Sequence, residues 1–167
     1  MDTVRDMVET ILIAALIAIV VRVFVFEPFL VDGPSMETTL LTAERLFISK
    51  LAYRFRAPKR GDVVVFKYPL NPAKDYIKRC VAVGGDTVEI RLGRVYVNGQ
   101  QVQEPYVRFP GLYDMKAITV PKDSIFVMGD HRTNSEDSRT FGPVKLDSVK
   151  GKAVFILWPP KSIRLVK

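Results

Sequence analysis

The sequence IKRCVAV at residues 77–83 decides the fold class of this chain. β-Branched and small apolar residues dominate this run, and the turn-forming sequence GGD follows it at residues 84–86. Short apolar runs bounded by glycine, proline, asparagine or aspartate are typical of β-strands. The run therefore predicts a strand that carries a lysine, Lys78, in apolar surroundings.

Further runs of the same kind lie on both sides of this strand. They occupy residues 63–66, 87–90, 95–97, 124–128 and 153–158. The dipeptide Asn98-Gly99 predicts a type I′ hairpin turn, because both residues tolerate positive φ angles. Helical periodicity is almost absent after residue 26, so we expect a mostly β domain, an antiparallel β-barrel or folded sheet, over residues 27–167. Residues 103–116 form the longest irregular stretch, which we interpret as a rim loop or a small insertion.

Residues 1–26 have a different composition from the rest of the chain. Residues 11–21 form an uninterrupted apolar run, Arg22 breaks it, and apolar residues continue at 23–26. A membrane span needs about 20 residues, a length reached if Arg22 extends its charged end to the membrane surface. We therefore expect one N-terminal transmembrane helix as an anchor, with a buried helix of a soluble domain as the alternative. The acidic leader and the bulky residues after the run argue against a cleaved signal peptide.

Length, charge and cysteine content narrow the classes of protein. A chain of 167 residues with 48% apolar residues fits one domain with a sizeable core. Lysine and arginine give a net charge of +7 but form no run longer than two, as on a solvated basic face. We expect contact with membrane phospholipid and no nucleic-acid partner. Cys80 is the only cysteine, so it forms neither an internal disulfide nor a zinc site.

Ser35 and Lys78 are the candidate catalytic residues. A serine hydroxyl is a weak nucleophile until a neighbouring base takes its proton. A lysine serves as that base if burial lowers its pKa from about 10.4 to about 8, a change of roughly 3.3 kcal/mol. A lysine that faces solvent is the ordinary alternative for a strand. His131, the single histidine, is the other candidate base beside Asp130, although adjacent residues point apart.

Four segments resemble, in order, the signature motifs of bacterial type I signal peptidases, the Ser–Lys proteases of the S26 type. They are GPSMETTL at residues 33–40, RGDVVVF at 60–66, YIKRCVAVGGD at 76–86 and GDHRTNSEDSR at 129–139. Each motif alone is modest evidence, but four in one order with matched spacing are specific. The resemblance covers nearly the whole chain.

This resemblance implies a role for the matching residues around the nucleophile. Ser35 would be the nucleophile that forms an acyl-enzyme, and Lys78 would be the general base. Ser135 would hydrogen-bond the Lys78 amine and orient it. Gly33 stands where some family members have a serine that donates to the oxyanion. We therefore expect the backbone N–H of Ser35 to stabilise the oxyanion.

The resemblance also implies a scaffold behind these residues. Asp137 would form ion pairs with Arg79 and Arg139, and this arrangement would hold the base in reach of the serine. A solvated salt-bridge loop of little energetic consequence is the alternative. Gly129 and Asp130 would shape the turn that precedes the scaffold.

The function implied is that of a membrane-bound serine endopeptidase that cleaves N-terminal signal peptides from exported precursor proteins. Pockets lined by residues 29–31 and Ile77 would favour small residues such as alanine at the cut. The N-terminus would be cytoplasmic and the catalytic domain extracytoplasmic, with secretory preproteins as partners and no metal or organic cofactor. One alternative is a catalytically inactive, membrane-tethered β-domain that binds peptides or lipids. Another is a self-cleaving repressor-type Ser–Lys protease, which would carry a DNA-binding helical domain instead of an apolar helix.

Overall fold

The computed structural model of the chain describes residues 2–24 and 26–167, and the side chains of residues 2 and 17–25 lie outside this description. The helices and strands of the described part follow in chain order. They are α1 (Asp2–Phe24), β1 (Phe26–Leu30), β2 (Arg45–Ser49), β3 (Val63–Tyr68), β4 (Asn71–Val83), β5 (Thr87–Arg91), β6 (Arg94–Val97), β7 (Gln100–Gln101), β8 (Met115–Thr119), β9 (Ser124–Met128), α2 (Ser138–Phe141), β10 (Val144–Lys145), β11 (Val149–Trp158) and β12 (Arg164–Leu165).

The strands form two antiparallel sheets. The larger sheet has eight strands in the order β1-β2-β11-β3-β4-β9-β10, with β12 paired to β11. The smaller sheet has four strands in the order β7-β6-β5-β8. A turn at residues 84–86 leads directly from β4 of the larger sheet to β5 of the smaller one.

The predicted strands agree with those observed. All six predicted runs lie in β3, β4, β5, β6, β9 and β11. The predicted hairpin joins β6 to β7, with Val97 opposite Gln100 and with φ angles of 53° at Asn98 and 78° at Gly99. Strands β1, β2, β8, β10 and β12 were not predicted, and β8 begins inside the stretch expected to be irregular.

The sheets are open rather than closed. Strands β1 and β10 stand at the two ends of the larger sheet, and they do not pair with each other within the described residues. The closed-barrel form of the fold expectation is therefore wrong. The mostly β, antiparallel part of that expectation is confirmed.

Helix α1 covers most of the N-terminal segment expected to be a membrane anchor. The side chains at residues 17–25 of that segment lie outside the described residues. The expected transmembrane helix is not found, because no helix in the described part of the chain combines the length and the apolar character that crossing a membrane requires.

Apolar packing fixes the strands that carry the candidate site. Met36 and Leu40, which follow the candidate nucleophile, are fully buried in one cluster with Val65 of β3 and Ile77 of β4. A second cluster fills the space between the smaller sheet and strands β4 and β9 of the larger sheet. Cys80 lies in a third cluster on the other face of β4, as expected for a small apolar residue. Both faces of β4 are therefore packed where the strand reaches the site.

Candidate active site

A turn after β1 presents Ser35. The N–H of Glu37 donates to the carbonyl oxygen of Pro34 at 3.0 Å, and the N–H of Leu40 donates to the carbonyl oxygen of Met36 at 2.9 Å. The side chains of Met36 and Leu40 are fully buried, so the turn is anchored to the apolar core. Burying two large apolar side chains stabilises such a loop by roughly 3–6 kcal/mol, which restricts the position of the serine.

Lys78 reaches Ser35 from the middle of β4. Its Nζ atom lies 2.8 Å from the Oγ atom of Ser35 and 3.0 Å from the carbonyl oxygen of Ile77. The lysine is only 4% exposed. The structure thus excludes the alternative in which this strand lysine faces solvent.

Burial changes the proton affinity of Lys78. Loss of hydration lowers the pKa of its ammonium from 10.5 to about 8, while the carboxylates of Asp137, Glu136 and Asp130 act in the opposite direction. A pKa near the working pH makes the neutral amine available as a proton acceptor.

Ser135 does not contact the lysine amine as expected. Its hydroxyl donates instead to Oδ2 of Asp137 at 2.8 Å, and no hydrogen bond within the described residues joins it to Lys78. A buried carboxylate is a stronger acceptor than a neutral amine. Gly129 permits this arrangement, because a Cβ at that position would collide with the Ser135 hydroxyl and with the carbonyl oxygen of Ser35.

The pair between Asp137 and Arg139 is present. The arginine Nε lies 2.8 Å from Oδ1 and its Nη2 lies 2.8 Å from Oδ2, the two-point geometry that arginine favours with carboxylates. Asp137 is fully buried and also caps α2 through the backbone N–H of Arg139. Its Oδ2 accepts a further hydrogen bond from the backbone N–H of Gly129 at 2.9 Å.

Arg79 pairs with Asp130 and not with Asp137, so this part of the expected scaffold is wrong. Its Nε and Nη2 atoms lie 2.9 Å and 2.7 Å from the two carboxylate oxygens of Asp130. Successive residues of a strand point to opposite faces, which separates Arg79 from the neighbours of Lys78. Arg79 stands opposite Met128, two residues before Asp130.

Asp130 was expected to shape a turn or, in the Ser-His-Asp alternative, to accompany His131, and its contact with Thr39 was not predicted. Both residues of the Arg79–Asp130 pair are nearly inaccessible, at 2% and 0% side-chain exposure. Thr39 donates to Oδ2 of Asp130 at 2.5 Å, which ties the nucleophile turn to the pair. The alternation of strand side chains, which places Arg79 on the opposite face of β4 from Lys78, is the sequence signal that could have revealed this pair.

The stretch at residues 103–116 packs over this buried pair. The guanidinium of Arg79 lies 3.9 Å from the ring centroid of Tyr106, a cation–π distance. Glu104 forms a partly buried two-point ion pair with Arg132, at 2.5 Å and 2.9 Å. The stretch is therefore a loop that covers the back of the site.

His131 is not placed as a base for Ser35. Its backbone N–H donates to the carbonyl oxygen of Ser35 at 3.1 Å. The ring Nδ1 lies 3.5 Å from Oε2 of Glu37 and has no hydrogen-bond partner within the described residues. The ring packs against Phe109 in a tilted arrangement with centroids 4.6 Å apart. The Ser-His-Asp alternative thus lacks its serine–histidine contact.

A cleft of about 630 Å³ opens in front of Ser35 and Lys78. Phe29, Leu30 and Ile77 form part of its wall, as expected. Val31 was expected in the wall but is buried in the core at 2% exposure. Adjacent residues of an extended chain point to opposite sides, so Val31 faces inward while Leu30 faces outward at 55% exposure.

The backbone N–H of Ser35 was the donor to an oxyanion expected from the sequence. No hydrogen bond formed among the described residues uses the backbone N–H of Ser35. Gly33 has a φ angle of 93°, a region that strains residues with a Cβ. The glycine therefore shapes the turn that aims this N–H, and a serine in its place would strain the loop. No group of three or more metal-ligating side chains occurs in the part of the chain described here.

Known proteins match this chain over most of its length. The model of the family "Signal peptidase, peptidase S26" matches residues 4–158. Signal peptidase I P of Bacillus subtilis subsp. natto is 36% identical over 170 residues, covering 95% of this chain and 91% of that protein. Signal peptidase I of Leptolyngbya laminosa is 37% identical over 160 residues, covering 91% of this chain and 78% of that protein.

A solved structure agrees with these sequence matches. The crystal structure of a signal peptidase I from Enterococcus faecalis V583 superposes with a TM-score of 0.53 at 33% sequence identity. The superposition covers 58% of this chain and 97% of that one. The chain belongs to the peptidase S26 family of signal peptidases and is accordingly a hydrolase.

Proposed function

We propose that this chain is a serine endopeptidase that removes N-terminal signal peptides from exported precursor proteins by means of a Ser35–Lys78 dyad. The observation that carries the proposal is the 2.8 Å distance between Lys78 Nζ and Ser35 Oγ. It is supported by the burial that lowers the pKa of Lys78 to about 8 and by the signal peptidase names of the relatives.

Acylation begins with the lysine in its neutral form. Ser35 Oγ attacks the scissile carbonyl carbon while its proton passes to Lys78 Nζ, and the carbonyl oxygen becomes an oxyanion. The backbone N–H of Ser35 stabilises that oxyanion. A single donor of this kind is worth about 3–4 kcal/mol of barrier. The tetrahedral intermediate then collapses, the C–N bond breaks, and the lysine returns the proton to the leaving amine.

Deacylation repeats the same steps with water. Lys78 takes a proton from a water molecule whose oxygen attacks the ester carbonyl of the acyl-enzyme. Collapse of the second intermediate breaks the bond to Ser35 Oγ, which regains its proton from the lysine. The products are a new amino terminus on the mature protein and a carboxylate on the released signal peptide.

The cleft supports binding of an extended peptide. Strand β1 is at an end of the larger sheet, and its outer edge pairs with no other strand of the described residues. A peptide strand can therefore form main-chain hydrogen bonds along this edge. Phe29, Leu30 and Ile77 line the cleft next to Ser35. These bulky side chains leave room for small residues such as alanine on the signal-peptide side of the cut.

We further propose that residues 1–26 attach the enzyme to a membrane and that residues 27–167 form an extracytoplasmic catalytic domain. The apolar run at residues 11–21 supports this attachment. Trp158 is 54% exposed, and an exposed tryptophan suits the level of the lipid headgroups. Membrane fractionation and protease protection of the catalytic domain in cells test the attachment and its orientation.

One experiment tests the proposed reaction. The full chain in detergent is incubated with a precursor that carries an alanine-rich cleavage site, and the products are identified by mass spectrometry. Ser35→Ala and Lys78→Ala should each lower the cleavage rate by at least about 10³-fold while circular dichroism stays unchanged. A peptide- or lipid-binding module would keep its function in both variants, and that result would contradict the proposal.

His131→Asn is the matched control in the same assay. The substitution keeps the backbone N–H that donates to Ser35 and removes a ring nitrogen without a partner. We expect turnover within about twofold of the native rate, because the ring forms no hydrogen bond with Ser35 or Lys78 among the described residues. A large loss would favour the serine–histidine alternative.

A further inference from the structure

A carboxylate at the rim of the cleft is held by two tyrosine hydroxyls. Tyr68 donates to Oε1 of Glu136 at 2.6 Å, and Tyr76 donates to Oε2 of Glu136 at 2.8 Å. The two tyrosine rings are stacked with centroids 4.3 Å apart and planes 8° apart. Phe141 packs edge-on against both rings, so the orientation of the pair is fixed from a third side.

This arrangement adjoins the candidate base. Tyr76 precedes Lys78 by two residues on β4, and residues two apart on a strand share a face. The Nζ atom of Lys78 lies 5.0 Å from the centroid of the Tyr76 ring. Glu136 lines the same cleft as Lys78 and Ser35. The tyrosine ring is therefore part of the wall that shields the lysine amine, and its hydroxyl carries the hydrogen bond to the carboxylate.

The three carboxylates that favour the protonated form of the amine differ in how their own charge is balanced. Asp137 and Asp130 lie in buried two-point ion pairs, each with its own arginine. Glu136 has no lysine or arginine within ion-pair distance in the described part of the chain, and the exposed Lys74 acts on it only from further away. Its hydrogen-bond donors are neutral hydroxyls. Of the three acids, Glu136 is the one that lacks an ion-pair partner among the described residues.

The cluster keeps its protonation state over the range in which the lysine titrates. The hydrogen bond from Tyr68 lowers the pKa of Glu136 below its usual value. Burial, followed by the contact with Glu136, raises the pKa of Tyr76 to about 12, and the bond to Glu136 raises the pKa of Tyr68. Around pH 8 the carboxylate is thus charged and both hydroxyls retain the protons they donate.

We propose that Glu136 is a positioning residue for the lysine base: the Tyr68 and Tyr76 hydroxyls hold its unbalanced carboxylate near Lys78, where it sets the fraction of protonated amine. The proposal rests on the proposed role of Lys78 as general base. A nearby negative charge favours the ammonium form. Glu136 therefore keeps the amine basic enough to take the serine proton, against the burial that favours the neutral form.

The first test measures the amine directly. The full chain with isotope-labelled lysine side chains is titrated by NMR, and Lys78→Met assigns the Lys78 signal. In Glu136→Gln, which keeps the size of the side chain, the midpoint should fall by roughly half a pH unit. The difference should narrow in 1 M salt, because salt screens an exposed charge. Glu89→Gln, the same change on the smaller sheet, should leave the midpoint where it is.

The second test measures cleavage against pH. Glu136→Gln should move the acid limb of kcat/KM to lower pH by the same amount as the NMR midpoint. Tyr68→Phe combined with Tyr76→Phe should also move the acid limb and the NMR midpoint to lower pH, since a carboxylate without its two donors turns to solvent. A Lys78 midpoint that does not move in Glu136→Gln overturns the proposal. A raised KM with an unmoved midpoint would instead make Glu136 a peptide contact.

The two proposals fail in different ways. Cleavage by Lys78→Met at the native rate would overturn the role of Lys78 as base, whatever the titration shows. A Lys78 midpoint unaffected by Glu136→Gln, with cleavage still dependent on Lys78, would overturn only the role of Glu136.

Discussion

The Nζ atom of Lys78 lies 2.8 Å from the Oγ atom of Ser35, although the two residues are 43 positions apart in the chain. Two unlike elements create this contact. The lysine projects from the packed centre of strand β4, and the serine stands on a turn whose next residue, Met36, is fully buried. Neither side chain has to leave the cleft for a proton to pass between them, so the rate of the reaction should follow the protonation state of the lysine.

The first prediction concerns the dependence of cleavage on pH. Burial lowers the pKa of Lys78 to about 8, and only the neutral amine accepts the serine proton. Below that pH, kcat/KM should fall about tenfold for each pH unit, and above it the rate should reach a plateau. A peptide substrate without groups that titrate in this range gives the profile. A rate that stays constant between pH 5 and 10 would count against Lys78.

The second prediction is that Lys78→Met stabilises the fold at neutral pH while it removes activity. The folded pKa of about 8 lies below the unfolded value of 10.5, so the unfolded chain binds more protons between these values. The free energy of unfolding therefore rises with pH across this window. Below pH 8 the burial of the charged ammonium lowers the free energy of unfolding by its full amount, up to about 3 kcal/mol. Methionine has a similar volume and carries no charge.

Urea unfolding at two pH values checks this prediction. The stability gain of Lys78→Met over the native chain should be largest at pH 7 and should shrink as the pH rises to 10.5 and beyond, where the amine becomes neutral in the folded and the unfolded chain alike. Ser35→Ala serves as the control, because it removes activity without removing the ionisable group. A variant that is less stable than the native chain at pH 7 would contradict the burial penalty.

The third prediction concerns the buried pair of Arg79 and Asp130. Asp130→Asn leaves the guanidinium buried without its carboxylate, which should cost about 3–5 kcal/mol of folding free energy. The matched control is Glu89→Gln, which removes the exposed pair with Arg91 and should cost less than about 1 kcal/mol. Chemical unfolding of both variants gives the two values. Equal small losses would mean that the buried pair contributes nothing beyond a surface pair.

Features that depend on neighbouring residues in the sequence were predicted, whereas features that depend on contacts between distant residues were not. The strand run at residues 77–83 and the turn at Asn98 depend on local preferences, which act within a few residues and were predicted correctly. The partner of Arg79 depends on strand register, because Arg79 stands opposite Met128 and so beside Asp130. Motif resemblance named the right segments but gave no register.

The same limit explains the other differences. Ser135 was assigned to the lysine amine by resemblance, but the buried carboxylate two residues later is the acceptor it meets. Strands such as β10 and β12 have two residues each, too few for any periodic pattern. Tyr68 and Tyr76, which hold Glu136, precede it by 68 and 60 positions in the chain. No local sequence pattern therefore marks this contact.

The fourth prediction concerns the space left by the missing side chain of Gly129. A Cβ at this position would collide with the Ser135 hydroxyl and with the carbonyl oxygen of Ser35. The neighbouring β9 strand is fully buried and cannot yield easily, so Gly129→Ala should displace the nucleophile turn. A displacement of about 1 Å lowers catalysis by roughly 10²-fold, and we expect the loss mainly in kcat. Steady-state kinetics with unfolding data separate this effect from a general loss of stability. Combining Gly129→Ala with Ser135→Gly removes one of the two collisions and should recover part of the rate, whereas a native rate in Gly129→Ala itself would mean that the turn tolerates the shift.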